Sequence, residues 1–229
     1  MTSVLAWPRF VRELALRFVD RVDAGRQLGQ RLLPYRNEQG VVYALPRGGV
    51  PIGAEVARAI GWPLELIIAR KIGHPGNPEY AIAAVTETGP IATNPHSLAA
   101  QDEHWFKQAV TAERKEAERR RKLYLSDRPA APIAGKIAIV VDDGVATGLT
   151  IEAALTQVFQ RGPAKLVLAV PVAPRDTAAR LSSLVDELVV LELPVQFLGA
   201  VGAYYSNFDQ VTDAEVIALL DALSSRDQT

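Results

Sequence analysis

Two adjacent carboxylates, followed closely by small and hydroxyl-bearing residues, are the part of this sequence best suited to chemistry. In Ile137-Ala138-Ile139-Val140-Val141-Asp142-Asp143-Gly144-Val145-Ala146-Thr147-Gly148-Leu149-Thr150 an apolar stretch ends in the acid pair. A short turn then leads into a helical pattern over Thr150 to Gln160. At the carboxyl edge of a parallel sheet, such a turn lies where open α/β sheets take up ligands. The backbone N–H groups of Val145, Ala146, Thr147, Gly148, Leu149 and Thr150, with the hydroxyls of Thr147 and Thr150, can surround a phosphate there, and the helix dipole adds attraction. Asp142 and Asp143 can accept hydrogen bonds from two neighbouring hydroxyls. A phosphorylated sugar suits that combination, while the plain structural reading is a buried strand ending in a solvated Asp-Asp-Gly turn.

Two further segments repeat the strand-then-polar-end design. The apolar run Val41–Leu45 breaks at Pro46, and Arg47, Gly48 and Gly49 form a tight turn before a helix over Val50 to Ile60. Glycine permits close backbone approach and Arg47 offers a planar donor fork, so an anion is the expected ligand, although Gly-Gly before a helix is also an ordinary turn. The run Leu64–Ala69 ends in the adjacent cations Arg70 and Lys71, with Gly73-His74-Pro75-Gly76-Asn77-Pro78 beyond. Such a pair also occurs at solvated strand ends.

On these segments the chain resembles the type I phosphoribosyltransferases, whose signature is an apolar strand, two acids and an Ala-Thr-Gly-x-Thr turn. The resemblance implies that Asp142 and Asp143 hold the 2′ and 3′ hydroxyls of phosphoribosyl pyrophosphate (PRPP) and meet Mg2+ indirectly, through ligand or water. It implies that Val145, Ala146, Thr147, Gly148, Leu149 and Thr150 hold the 5′-phosphate. Arg47, Gly48 and Gly49 would meet the pyrophosphate, as would Arg70 and Lys71. Phe197 is similar to the aromatic that stacks on the base in purine-type members. Gly144 departs from the pattern, standing where the family has an aliphatic residue, which puts local packing in question. The implied activity is transfer of 5-phosphoribosyl to a nitrogen nucleophile such as a nucleobase, as in purine salvage, with Mg2+ as cofactor and pyrophosphate released. A non-catalytic PRPP or nucleotide sensor on the same fold is the alternative, and a homodimer, common in the family, is left open.

The elements that must position these residues alternate between strand and helix. Lys165–Val172 and Glu187–Leu193 read as strands around a helix over Thr177 to Leu184, which predicts an α/β fold with a mostly parallel open sheet flanked by helices. The expected organisation is a single domain over 1–229. It comprises an N-terminal helical segment (1–35), a core (36–193) with a helical insertion (87–128), and a small C-terminal hood with a closing helix (194–229). Phe10, Leu14, Phe18 and Val22 recur at helical spacing before Gly25, which is expected to interrupt the helix. Tyr80–Thr86 reads as a further strand and Thr88–Ser97 as a loop. Gln101 to Leu125 reads as a polar helix ending in Arg119-Arg120-Arg121-Lys122, either solvated or serving as a lid over PRPP.

Composition excludes several other chemistries. The 229 residues carry 25 basic against 26 acidic side chains, so no global field favours nucleic acid. With no cysteine, disulfides, thiolate catalysis and Cys-based zinc sites are excluded. His74, His96 and His104 lack metal-ligand spacing. No secretory signal or membrane-spanning run is apparent, so the expected location is cytoplasmic, with no membrane partner; the small-molecule acceptor is what the family resemblance implies. No glycine-rich loop ends in Lys-Ser or Lys-Thr, which disfavours a P-loop nucleotidase. The acids follow a late strand, which disfavours a phosphoaspartate receiver domain.

Overall fold

The computed structural model describes residues 18–94, 102–126 and 128–224. Its centre is a five-stranded parallel sheet in the order β2-β1-β6-β7-β8. The strands are β1 (Gly40–Ala44), β2 (Leu64–Leu66), β6 (Ile137–Val141), β7 (Lys165–Val172) and β8 (Glu187–Glu192). β1 is buried along its whole length, and β6 and β7 beyond their first residues, because helices cover both faces. That burial explains why their sequences read as continuous apolar runs rather than alternating ones.

One core cluster joins Val42, Ala44, Ile139 and Val141 to helices α1 (Arg21–Leu32) and α2 (Gly49–Ile60). The other joins Tyr43, Val140 and Leu168 to Ile151, Leu155 and Val158 of α4 (Leu149–Phe159). Fully burying each such aliphatic side chain contributes about 1.5–3 kcal/mol. From β1 the chain passes to β2 on one side and later to β6 on the other, so the β1/β6 boundary is the topological switch point. Ala44 is in register with Val141, and Leu45 N donates to Val141 O at 3.1 Å. The turn after β1 and the acid pair after β6 therefore emerge side by side.

The N-terminal helix differs from its sequence pattern. Asp20 caps α1 by accepting from Asp23 N at 2.8 Å, and Phe18 precedes the helix, bridging to Tyr205 instead. Phe10 and Leu14 lie outside the described residues. Gly25 does not interrupt α1, because its missing side chain is what allows close packing: a Cβ there would lie 2.9 Å from Glu55 Cβ on α2. Gly29 lets α1 approach Ala59 in the same way.

The run Leu64–Ala69 also divides. β2 stops at Leu66, and Ala69 begins β3 (Ala69–His74), which pairs antiparallel with β4 (Asn77–Thr86); β4 then pairs with β5 (Ala92–Thr93) in a separate three-stranded sheet. This small sheet packs against α4 through Ala84, Leu149 and Ala153, and against α3 (Glu103–Leu125) through Ile72, Ile82, Trp105 and Phe106. Helix α3 is thus a strut behind the small sheet. Its far end is anchored in the main core by Ala117, Tyr124 and Leu125, and Tyr124 donates to Asp213 Oδ1 at 2.6 Å.

Arg119 and Arg120 both pair with Glu116, as expected for a solvated helix face. Helices α5 (Arg175–Ser182) and α6 (Asp213–Ser224) complete the layers, with a 3-10 turn at Val201–Tyr204 between them. Among the described residues, no helix is long and apolar enough to cross a membrane.

Candidate active site

The loop from Gly144 to Gly148 is fastened by its carbonyls. Thr177 Oγ1 donates to Ala146 O at 2.9 Å, Arg180 Nη2 donates to Thr147 O at 2.5 Å, and Arg180 is also paired with Glu152. Gly148 precedes α4 at φ 83°, and no side chain caps the helix. With the Ala146 and Thr147 carbonyls turned to α5 and the first helical N–H groups uncapped, the loop is an acceptor-poor, donor-rich rim. Val145 is the exception to the sequence expectation: it is buried and its N–H is committed to Val172 O at 2.9 Å, because the loop leaves β6 still bonded to the end of β7. A recess of about 320 Å³ follows it, lined by Gly144 to Ile151, Val201, Tyr80, Ala81 and Lys71. A second, larger cleft of about 730 Å³ adjoins it, with Thr147, Glu152, Asp176, Asn94 and Phe197 in its wall.

Gly144 answers the packing question raised by its departure from the family pattern. It adopts φ 152°, and a Cβ would lie 2.5 Å from Val201 Cγ1 and 2.9 Å from Val172 Cγ1. The aliphatic contact comes instead from Val201 in the tail. Gly144→Ala is expected to cost about 1–3 kcal/mol through overpacking, read from denaturant unfolding; an unchanged midpoint would show that the tail yields freely.

Beside the loop stand the acids. Asp142 Oδ1 accepts from Asp143 N at 2.9 Å, and Asp143 Oδ2 accepts from Arg21 Nε at 2.8 Å. Asp142 Oδ2 and Asp143 Oδ1 are left without a partner from another described residue. Burial lifts both carboxyls above the ordinary aspartate range; repulsion from Asp143 lifts Asp142 further, while the Arg21 guanidinium pulls Asp143 back down. Burial likewise pushes the Tyr205 phenol up, and its hydroxyl donates to Asp143 O at 2.6 Å. The Gly48-Gly49 turn rests on this pair. A Cβ at Gly49 would lie 3.0 Å from Asp142 Oδ1, and one at Gly48 would overlap Asp143 Oδ2.

The expected cations are distributed differently from the sequence reading. Lys71 lines the recess, whereas its neighbour Arg70 pairs with Glu113 of α3 at 2.8 Å, as alternation along a strand requires. Arg47 leans to Asp213 of α6 at 3.5 Å. The guanidinium actually seated at the acids is Arg21, which sequence reasoning missed because it lies in a segment read only for its apolar periodicity. Phe197 lies in the cleft wall and stacks on Tyr204, ring centroids 5.5 Å apart. His74 accepts from Gly76 N in the hairpin turn and His104 pairs with Gln108, while His96 lies outside the described residues.

Fold and site together define an open parallel α/β domain with a donor-rich loop and an acid pair at its switch point. The model of the phosphoribosyl transferase domain family matches residues 20–205, and the chain belongs to that family. Two Mycobacterium tuberculosis proteins provisionally named phosphoribosyl transferase are 44% identical over 208 residues, covering 89% of this chain and 46% of their own length. The chain therefore spans about half the length of these curated relatives. The crystal structure of TT1426 from Thermus thermophilus is similar at 44% identity and TM-score 0.75, covering 90% of this chain and 98% of that one. An Aquifex aeolicus protein, AQ2163, shares the fold at 14% identity and TM-score 0.50, covering 84% of this chain and 87% of its own.

Proposed function

We propose that this domain transfers the 5-phosphoribosyl group of PRPP to a ring nitrogen of a nucleobase and releases pyrophosphate. The observation that carries the reading is the meeting, at one sheet edge, of a donor-rich loop, two open carboxylate oxygens and a glycine turn in contact with both acids. Asp142 Oδ2 and Asp143 Oδ1 would accept from the two ribose hydroxyls. The α4 N-terminus, with Thr147 and Thr150, would take the 5′-phosphate, and the backbone of Arg47 to Gly49, with Lys71, the pyrophosphate. Arg47 and Arg70 would reach the leaving group only by exchanging Asp213 and Glu113 for it.

The bond from C1′ to pyrophosphate oxygen breaks and its electrons leave with pyrophosphate; the bond from nitrogen to C1′ forms and the ring N–H proton passes to water. Such a transition state asks the protein for positioning and charge neutralisation. The acid pair fits an indirect part in holding Mg2+, since Asp143 Oδ2 is already taken by Arg21 and the open oxygens can meet metal-bound water. When bound, Mg2+ would supply neutralisation of the pyrophosphate charge.

Phe197 supplies a stacking face for the acceptor. Phe197→Ala is expected to weaken nucleobase binding by about 1–3 kcal/mol while leaving PRPP binding nearly intact. Equal losses for both ligands in calorimetry would instead assign the ring to packing on Tyr204. A second reading, a PRPP-binding regulator, is favoured by one observation: Arg47 and Arg70 are both held by acids. Pyrophosphate release from PRPP across a panel of purine and pyrimidine bases separates the two. Base-dependent release supports the transferase, PRPP binding without it supports the regulator, and no binding removes both.

A further inference from the structure

We propose that Arg21 is a built-in counter-cation that closes the acid pair to bare divalent metal, so that metal enters only when already chelated by a phosphorylated ligand. The identity of that ligand rests on the reading above; the closure itself does not.

Arg21 opens α1, and its side chain is only 11% exposed, against 16% for Asp143. Three contacts seat its guanidinium, one from the acid pair and two from the neighbouring tail residues Phe208 and Asp209. Nε donates to Asp143 Oδ2 at 2.8 Å, Nη1 donates to Asp209 O at 2.7 Å, and Cζ lies 3.7 Å from the Phe208 ring centroid. Phe208 packs on Tyr205 at 4.8 Å between centroids, and Tyr205 holds the Asp143 carbonyl. The tail that seats the cation therefore also seats the acid. Gly202 leaves room for this, since a Cβ there would lie 2.7 Å from Phe208 Cδ1. A planar fork fixed on carboxylate, carbonyl and ring at once is a use of arginine that lysine reproduces only in charge.

The arrangement opposes direct metal binding in three ways. The guanidinium repels a second cation approaching the same carboxylate. Asp142 Oδ1 is committed to Asp143 N, and the Gly48-Gly49 turn covers that side of the pair. Mg2+ and Mn2+ also require a near-octahedral oxygen shell, and among the described residues no three His, Asp or Glu side chains converge to supply one. One open oxygen on each carboxylate suits two hydroxyl donors or metal-bound waters, and not chelation.

The test titrates the full chain with Mn2+ alone, without PRPP, and reads free metal by electron paramagnetic resonance. Arg21→Gln is expected to bind Mn2+ about tenfold or more tightly than the wild type. Arg21→Lys should return binding to the weak wild-type level, and adding Asp143→Asn to Arg21→Gln should abolish the gain. A merely structural ion pair would change the melting temperature of Arg21→Gln and create no metal site. Equal Mn2+ binding by wild type and a cooperatively melting Arg21→Gln overturns the proposal, as does tight wild-type binding that Asp143→Asn removes. If Arg21→Gln does not fold, Phe208→Leu, which loosens the guanidinium and leaves both carboxylates, must show a smaller gain in the same direction, and its absence is equally decisive. Because the probe is metal alone, a failure of PRPP to bind would remove the proposed function and leave this result standing.

Discussion

Saturating Mg2+ and PRPP are expected to raise the melting temperature of the protein by about 5–11 °C. The acid pair, the donor-rich loop and the glycine turn exist as one site only when β1 and β6 are paired, so ligand binds the native state alone. At about a hundredfold above its dissociation constant, such a ligand adds roughly 2.7 kcal/mol, and a domain of this size shifts about 2–4 °C per kcal/mol. Thr147→Val removes the hydroxyl proposed to donate to the 5′-phosphate, and should also weaken ribose 5-phosphate. Asp142→Asn should remove most of the shift while leaving the apo protein as stable or more so, because burial and Asp143 already oppose the Asp142 charge. Asp143→Asn is less clean, since it strips the nearly buried Arg21 of its counter-charge and should destabilise the apo protein as well. A flat melting profile, with no heat of binding, would sink the PRPP reading.

Gly48→Ala is expected to abolish that ligand-induced shift with one added methyl group. Gly48 has φ −60° and ψ −35°, a conformation any residue adopts, so the demand for glycine is one of space. The new Cβ would fall on Asp143 Oδ2 and 3.3 Å from Arg21 Nε, forcing the turn and the acid apart. Overpacking of this kind costs about 1–3 kcal/mol of stability, and the displaced carboxylate no longer faces the ligand. Gly61→Ala is the matched control. Gly61 ends α2 at φ 75° with nothing within 4 Å of a built Cβ, so the change should cost about 1–2 kcal/mol in backbone strain and keep the full shift. Differential scanning fluorimetry of both variants with and without Mg2+ and PRPP decides it: a full shift in Gly48→Ala would mean that the turn is not coupled to the acids.

What the sequence determined by itself was everything that depends on near neighbours. Ile137–Val141 and Lys165–Val172 have the bounds their apolar runs predict, because a strand buried on both faces leaves an unbroken apolar record. The acid pair, the glycine turn after β1 and the loop that opens α4 were legible for the same reason, since turn geometry and helix starts are set within a few residues. The alternating order of elements sufficed for the parallel α/β class.

Closure of the chain decided the rest. Gly25 and Gly144 look like a helix break and a motif defect until Glu55 and Val201 arrive from elsewhere to fill their space. Arg70 and Lys71 are equivalent as letters, and only the packing of the small sheet between α3 and α4 sends one to Glu113 and the other to the recess. The partner of Asp143 stands 122 positions away on α1. No local pattern encodes that distance, because the pair forms only after the sheet has brought the turn, the loop and the N-terminal helix to one edge and burial has made an unpaired carboxylate costly.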